Sequence, residues 1–140
     1  MIAPPLLLVE DDPDDVLLFR TALRMCGEAP PLHVVGDGEA ALEWLGTRTG
    51  ADLPLPALVV LDLKLPRLSG LAFLEELRAS PVTRGLAVAV LSSSEETQDV
   101  QGANQLGVIA YHVKPVGIDG LVEVVRALCA QWRAFYSPSA

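Results

Sequence analysis

Acids stand at the ends of two short apolar runs. Leu6-Leu7-Leu8-Val9 leads into Glu10-Asp11-Asp12, and Leu58-Val59-Val60-Leu61 leads into Asp62. A third run ends in Leu91-Ser92-Ser93 and a fourth in Val113-Lys114-Pro115. The first three runs have no polar interruption and several are rich in β-branched residues; they read as strands buried on both faces of a parallel sheet, with the fourth, which includes Tyr111 and His112, as a further strand. In such a sheet every strand C-terminus lies on one edge, where the ligands of open α/β sheets collect. Glu10, Asp11, Asp62, Ser92, Ser93 and Lys114 are therefore expected to meet there. Asp62 alone would be equally well explained as a cap for the loop that follows it. The convergence is what argues for chemistry.

Three carboxylates brought together repel one another. At about 4 Å and an effective dielectric near 20, each like pair costs on the order of 4 kcal/mol. Either their pKa values rise or a cation binds. Hard oxygen ligands favour Mg²⁺, which keeps several waters and takes one or two carboxylates, often together with a phosphoryl group. Lys114 offers a point charge to a phosphoryl oxygen, and Ser92 offers a hydroxyl donor. Such a set can accept a phosphoryl group on an aspartate and release it to water. Neither GxxxxGK[ST] nor GxGxxG occurs, so the phosphoryl donor is expected from outside the chain.

The elements that must position these groups can be read in order. The first strand, Leu6 to Val9, is followed at once by a helix: Asp12 suits its N-cap, Pro13 its first position, and Asp14 and Asp15 its first turn. Val16, Phe19, Leu23 and Cys26 give it an apolar stripe, and Gly27 a stop. The second strand is Leu32 to Val35. Asp37 precedes a short helix over Glu39 to Leu45, and capping suffices to explain it. A loop runs from Thr47 to Pro56. After the third strand, Pro66 bars helix, Ser69-Gly70 opens the third helix and Pro81 closes it. The fourth strand is predicted over Leu86 to Leu91 and the fifth over Val108 to Val113. Between them lies the weakest helix, with capping-box spacing at Ser93 and Glu96, few apolar positions, and Gly102 inside it. The fifth helix starts near Asp119 and carries Leu121, Val124, Val125, Leu128, Trp132 and Phe135. Ser137 to Ala140 reads as a frayed tail. Five strands alternating with five helices make an α/β domain with a parallel sheet and helices on both faces.

Composition excludes several classes. With 51% hydrophobic residues the 140-residue chain is not disordered, and its length suits one domain. The net charge of −8 and the scattered Lys and Arg argue against nucleic acid as a partner. No segment is predicted to cross a membrane or to act as a signal peptide, so the expected location is cytoplasmic. Cys26 and Cys129 fit no metal-ligand spacing and read as buried free thiols.

Taken together, Leu7-Leu8-Val9-Glu10-Asp11-Asp12, Val35-Gly36-Asp37-Gly38-Glu39-Ala40-Ala41-Leu42, Leu61-Asp62-Leu63-Lys64-Leu65-Pro66 with Ser69-Gly70, Leu91-Ser92-Ser93 and Val113-Lys114-Pro115 resemble the receiver domain of two-component response regulators. The resemblance extends from Leu6 to about Leu128. It implies a flavodoxin-like, doubly wound (βα)5 sheet in strand order 2-1-3-4-5. It implies a single receiver domain over 1–140, with its core over 5–130 and a C-terminal extension over 131–140; the short stretch after Asp119 leads us to expect no output domain. It also implies that Asp62 is the phospho-acceptor and that Asp11, Glu10, Asp62 and the backbone carbonyl of Lys64 hold Mg²⁺, for which Mn²⁺ or Ca²⁺ can substitute. Ser92 and Ser93 would meet the phosphoryl group, Lys114 would pair with its oxygens, and Tyr111 would be the aromatic switch residue. A cis Lys114–Pro115 bond is expected. Glu10 stands where the family commonly has Asp, and Ser92 where it commonly has Thr. Asp11-Asp12-Pro13-Asp14-Asp15 and the long loop after the second helix resemble, more narrowly, stand-alone receivers paired with phytochrome-type histidine kinases.

The expected function is a phosphorylation switch, charged by a histidine kinase, slow to lose its phosphate, and acting through the face of the fourth helix, fifth strand and fifth helix. A phosphatase of the haloacid-dehalogenase type would need Asp-x-Asp, which Asp62-Leu63-Lys64 lacks. A module that is never phosphorylated would have no reason to keep the acid cluster. Trp132, Phe135 and Tyr136 allow either packing on the domain itself or an association patch, and a homodimer through the fifth helix is expected.

Overall fold

The computed structural model describes residues 3–27, 30–48 and 53–136. Five strands alternate with five helices: β1 (Leu6–Val9), α1 (Pro13–Met25), β2 (Leu32–Val35), α2 (Gly38–Gly46), β3 (Leu58–Leu61), α3 (Gly70–Ala79), β4 (Val88–Ser92), α4 (Thr97–Gln105), β5 (Ala110–Val113) and α5 (Ile118–Tyr136). All strand pairs are parallel, in the order β2-β1-β3-β4-β5. This is the flavodoxin-like arrangement expected from the sequence. Val9 stands level with Val35 and Leu61, so the acids after β1 and β3 emerge side by side.

The apolar runs conceal a period of two. Leu6, Leu8, Leu58, Val60, Ala89 and Leu91 face one layer, with Phe19 of α1 and Leu121, Val125 and Leu128 of α5. Leu7, Val9, Val59, Leu61, Val88 and Val90 face the other, with Ala41 of α2, Phe73, Leu74 and Leu77 of α3, and Ala103 of α4. Successive side chains leave a strand on opposite faces, and helices cover both faces here, so the three central strands are apolar throughout except for Ser92, the last residue of β4, at the sheet edge. The edge strands β2 and β5 are half-buried and correspondingly more mixed.

Local signals account for most boundaries. Asp12 caps α1 by accepting from the Asp14 N–H at 2.9 Å, and Pro13 takes the first helical position. Ser69 caps α3 through the Ala72 N–H. Gly27, at φ +85°, ends the turn after α1 in a conformation that other residues rarely adopt. Cys129 is buried and Cys26 half-buried, both as free thiols.

Four expectations need correction. β4 starts at Val88 rather than Leu86, because the Leu86 N–H turns back to Thr83 and the Leu86 carbonyl is taken by Arg78. β5 starts at Ala110 rather than Val108, because the Val108 N–H closes the end of α4 on Ala103. The Ser93–Glu96 capping box does not form. Glu96 occupies the cap position without a side-chain hydrogen bond, and the Glu96 N–H goes to Ser94 Oγ instead. The Lys114–Pro115 bond is trans, and no described peptide bond is cis. A trans X–Pro bond is preferred by about 0.5–1 kcal/mol unless the surroundings impose the other isomer. Here the Lys114 N–H reaches the Ser92 carbonyl and its ammonium reaches the acids from the trans backbone.

On α5 the buried stripe is Leu121, Val122, Val125, Leu128, Cys129 and Trp132, with Val124 on its margin. Trp132 packs on its own domain: its indole N–H donates to the Pro4 carbonyl at 3.0 Å and its ring stacks on Tyr136. Phe135 stays exposed. Residues 49–52 of the predicted loop and the predicted tail 137–140 lie outside the described residues.

Candidate phosphoryl-acceptor and metal site

β3 carries Asp62 to the sheet edge, where it is 4% exposed. Its Oδ1 accepts from the Lys64 N–H at 3.0 Å and from the Ser92 hydroxyl at 2.9 Å. The first bond bends the chain around the carboxylate; Pro66 then keeps residues 63–65 out of helix. Its Oδ2 lies 2.8 Å from the Lys114 ammonium. Both oxygens of this buried carboxylate are therefore held in fixed directions.

β1 brings Glu10, 5% exposed, and Asp11, which is exposed. One oxygen from each of Glu10, Asp11 and Asp62 lies within 4.8 Å of the others. Three hard oxygen donors at this spacing fit a divalent cation that favours oxygen. The Lys64 carbonyl accepts no hydrogen bond among the described residues, as a further metal ligand would require.

Lys114 bridges three acids: Glu10 at 2.7 Å, Asp15 at 2.7 Å and Asp62 at 2.8 Å. Burial works against its charge, but the bonds to Asp15, Asp62 and Glu10 outweigh it and hold the ammonium above its ordinary value. One ammonium cannot neutralise three carboxylates. Burial raises Glu10 to about 7, with the charge of Asp62 adding to the effect against the opposing bonds from Lys114 and the Asp12 N–H.

The sign of this shift has a measurable consequence. Glu10 binds a proton more tightly when folded than at its ordinary value of 4.5, so its contribution to stability is full below that value. It is lost as pH rises through about 7, up to about 3 kcal/mol in all. Metal-free protein is expected to lose stability relative to the Glu10→Gln variant between pH 5 and pH 8. Urea unfolding of both proteins in chelator at the two pH values checks this. A divalent cation binding there displaces the proton, so its affinity should rise with pH over the same range.

Behind the site, the buried Ser94 donates its hydroxyl to Asp99, and the Tyr111 hydroxyl donates to the Ser94 carbonyl at 2.8 Å. The Lys64 ammonium lies 3.5 Å from Asp99. Ser93, a sequence-stated candidate, is exposed. Asp37 caps α2 through the Ala40 N–H, as expected.

Sequence reasoning missed Asp15. Asp15 was assigned to the helix dipole alone. Yet it stands four residues before Phe19, the most deeply packed large side chain of α1 near the site, and therefore on the inward face. That spacing was the available signal. Ser94 flanks the site, as its place after Ser92-Ser93 implies, and its burial depends on how α4 begins.

Residues 6–126 match the model of the response regulator receiver domain. Response regulator Rcp1 of Synechocystis is 31% identical over 132 residues, covering 92% of this chain and 90% of that protein. Among solved structures, response regulator RPA3017 in red light signalling of R. palustris superposes with a TM-score of 0.83 at 34% identity, over 98% of this chain and 99% of that one. The phosphorylated cyanobacterial phytochrome response regulator RcpA gives a TM-score of 0.81 at 28% identity, over 99% and 97%. The Mn²⁺-bound form of Rcp1 gives 0.79 at 27% identity, over 98% and 97%.

Proposed function

This chain belongs to the response regulator receiver domain family, and from that premise we propose that it is a phosphorylation switch whose acceptor is Asp62. The observation that carries the reading is the buried Asp62 carboxylate, aimed by Ser92, Lys64 and Lys114 and adjoined by Glu10 and Asp11. A histidine kinase presents a phosphohistidine. A carboxylate oxygen of Asp62 attacks phosphorus, the P–N bond breaks, and the imidazole leaves and takes up a proton. Loss of the phosphoryl group reverses this with water as nucleophile, giving inorganic phosphate and the free carboxylate, slowly. Glu10, Asp11, Asp62 and the Lys64 carbonyl would hold Mg²⁺, or Mn²⁺ or Ca²⁺ in its place. Bound there, the cation neutralises charge on the incoming phosphoryl group.

The chain's own residues do the rest. Lys114 supplies a positive charge to a phosphoryl oxygen, and Ser92 moves its hydroxyl from Asp62 to another such oxygen, with Ser93 beside it. In the structure Ser92 donates to Asp62 and Tyr111 donates to the Ser94 carbonyl. Phosphorylation on this reading stabilises this inward arrangement. The output is the face of α4, β5 and α5, where α4 has one buried residue, Ala103, and is held loosely.

Several finer assignments form part of the same reading. The chain acts as a receiver domain in the cytoplasm, without nucleic-acid contact. Exposed Phe135, with Ile109 and Val113, supports a homodimer through the α5 region. The likeness to RcpA and RPA3017 supports a phytochrome-type kinase as donor. No described helix is long and apolar enough to cross a membrane.

The test is intact-mass spectrometry after incubation with acetyl phosphate and Mg²⁺, followed by peptide mapping. One phosphoryl group on Asp62, absent when the metal is chelated, is the expected result. No adduct, or an adduct elsewhere, would sink the reading.

A further inference from the structure

We propose that Asp15 is a positioning residue for phosphoryl transfer, acting through Lys114; this rests on the reading of Asp62 as acceptor. Asp15 Oδ2 lies 2.7 Å from the Lys114 ammonium. The other two partners of that ammonium, Glu10 and Asp62, both belong to the acid group that fits a cation, whereas Asp15 does not. Among the described residues, Asp15 is thus the one ionic contact of Lys114 that a cation at the site does not compete for.

Packing does not fix the lysine either. A cavity of about 90 Å³ lies alongside it, walled by Leu8, Phe19, Leu91, Ile118 and Leu121 and bordered by Glu10, Asp15 and Lys114 themselves. A flexible four-carbon stem beside open space takes its head-group position from its ionic partners. Asp15 is well placed to define that position. It sits in the first turn of α1, on a helix anchored by Phe19, Ala22 and Leu23 in the core, and it is half-buried. Its neighbour Asp14 bears the same charge in the same turn, but is exposed and has no ionic partner among the described residues.

With acetyl phosphate as donor, an Asp62 oxygen attacks phosphorus, the bond between phosphorus and the acyl oxygen breaks, and acetate leaves with the electron pair. Lys114 must hold one phosphoryl oxygen while this happens, and Asp15 keeps the ammonium on that line.

The experiment measures adduct formation by mass spectrometry at saturating Mg²⁺ over a range of acetyl phosphate concentrations. It compares the wild type with Asp15→Asn, Asp15→Glu and Asp14→Asn. Mg²⁺ affinity is measured separately by calorimetry. For Asp15→Asn the limiting rate is expected to fall about tenfold while Mg²⁺ affinity stays within about twofold. Asp15→Glu should recover most of the rate, and Asp14→Asn should match the wild type. An unchanged or faster Asp15→Asn, or an equal fall in Asp14→Asn, would overturn the proposal, as would a loss explained wholly by weaker Mg²⁺ binding. A wild type that forms no adduct would instead refute the assignment of Asp62.

Discussion

Asp62→Asn is expected to take up no phosphoryl group from acetyl phosphate or from a kinase, while remaining folded. The carboxamide is isosteric, so its oxygen can still accept from the Ser92 hydroxyl and the Lys64 N–H, now at 2.9 and 3.0 Å from Asp62 Oδ1. It has no anionic oxygen to attack phosphorus, and the loss of the adduct should be complete. Two electrostatic changes oppose each other in the fold. Lys114 loses one of three carboxylate partners, and Glu10 loses a like-charged neighbour. Because the two offset, stability should stay within about 1 kcal/mol of wild type. Cation binding should weaken at least about tenfold, since one of three oxygen donors loses its charge. Intact mass, thermal unfolding and calorimetric Mg²⁺ titration read the three effects separately. A folded Asp62→Asn protein that still gains one phosphoryl group would place the acceptor elsewhere.

Gly70→Ala should be the most damaging small change to the fold around the site. Gly70 is buried at the start of α3, and a methyl group there would lie 2.5 Å from Leu63 Cα and 2.6 Å from the Asp62 carbonyl oxygen. Both are backbone atoms, so no side chain can rotate aside. Either α3 moves out, breaking the 3.1 Å bond from the Gly70 N–H to the Leu63 carbonyl, or the Asp62–Leu63 backbone shifts. The first loosens Phe73, Leu74 and Leu77, and the second displaces the acceptor. A loss of about 3 kcal/mol is expected, with metal affinity falling in parallel. Gly46→Ala provides the contrast. It lies at the end of α2 with nothing within 4 Å of the added methyl, so it should be neutral or stabilise by up to about 1 kcal/mol. Urea unfolding of both variants decides the matter. A Gly70→Ala protein as stable as wild type would show that this close approach relaxes freely.

The two residues illustrate different degrees of legibility. Gly70 was readable as the start of a helix, because Ser69-Gly70 after Pro66 is a local pattern. That its missing side chain lets α3 lie against the acceptor strand was not readable, because the contact is made by atoms seven and eight residues away. Asp62 was ambiguous alone and became persuasive through Glu10, Asp11, Ser92 and Lys114, which the fold gathers at one sheet edge.

The sequence by itself determined the strands of the centre, the order of elements and the edge at which the acids meet. Each depends on a local feature, an uninterrupted apolar run or a cap, combined with one global constraint: parallel strands all end on the same side. Only the tertiary structure decided that Lys114 is shared with Asp15 rather than Asp14, and that α4 begins at Thr97 behind Ser94. It likewise decided that Lys114–Pro115 is trans and that Trp132 packs inward while Phe135 does not. The helix-face choices among these depend on how far each helix is rotated about its axis when it docks. That angle is set by packing across the sheet, between residues as far apart in the chain as Phe19 and Val125, and no short window of sequence contains it.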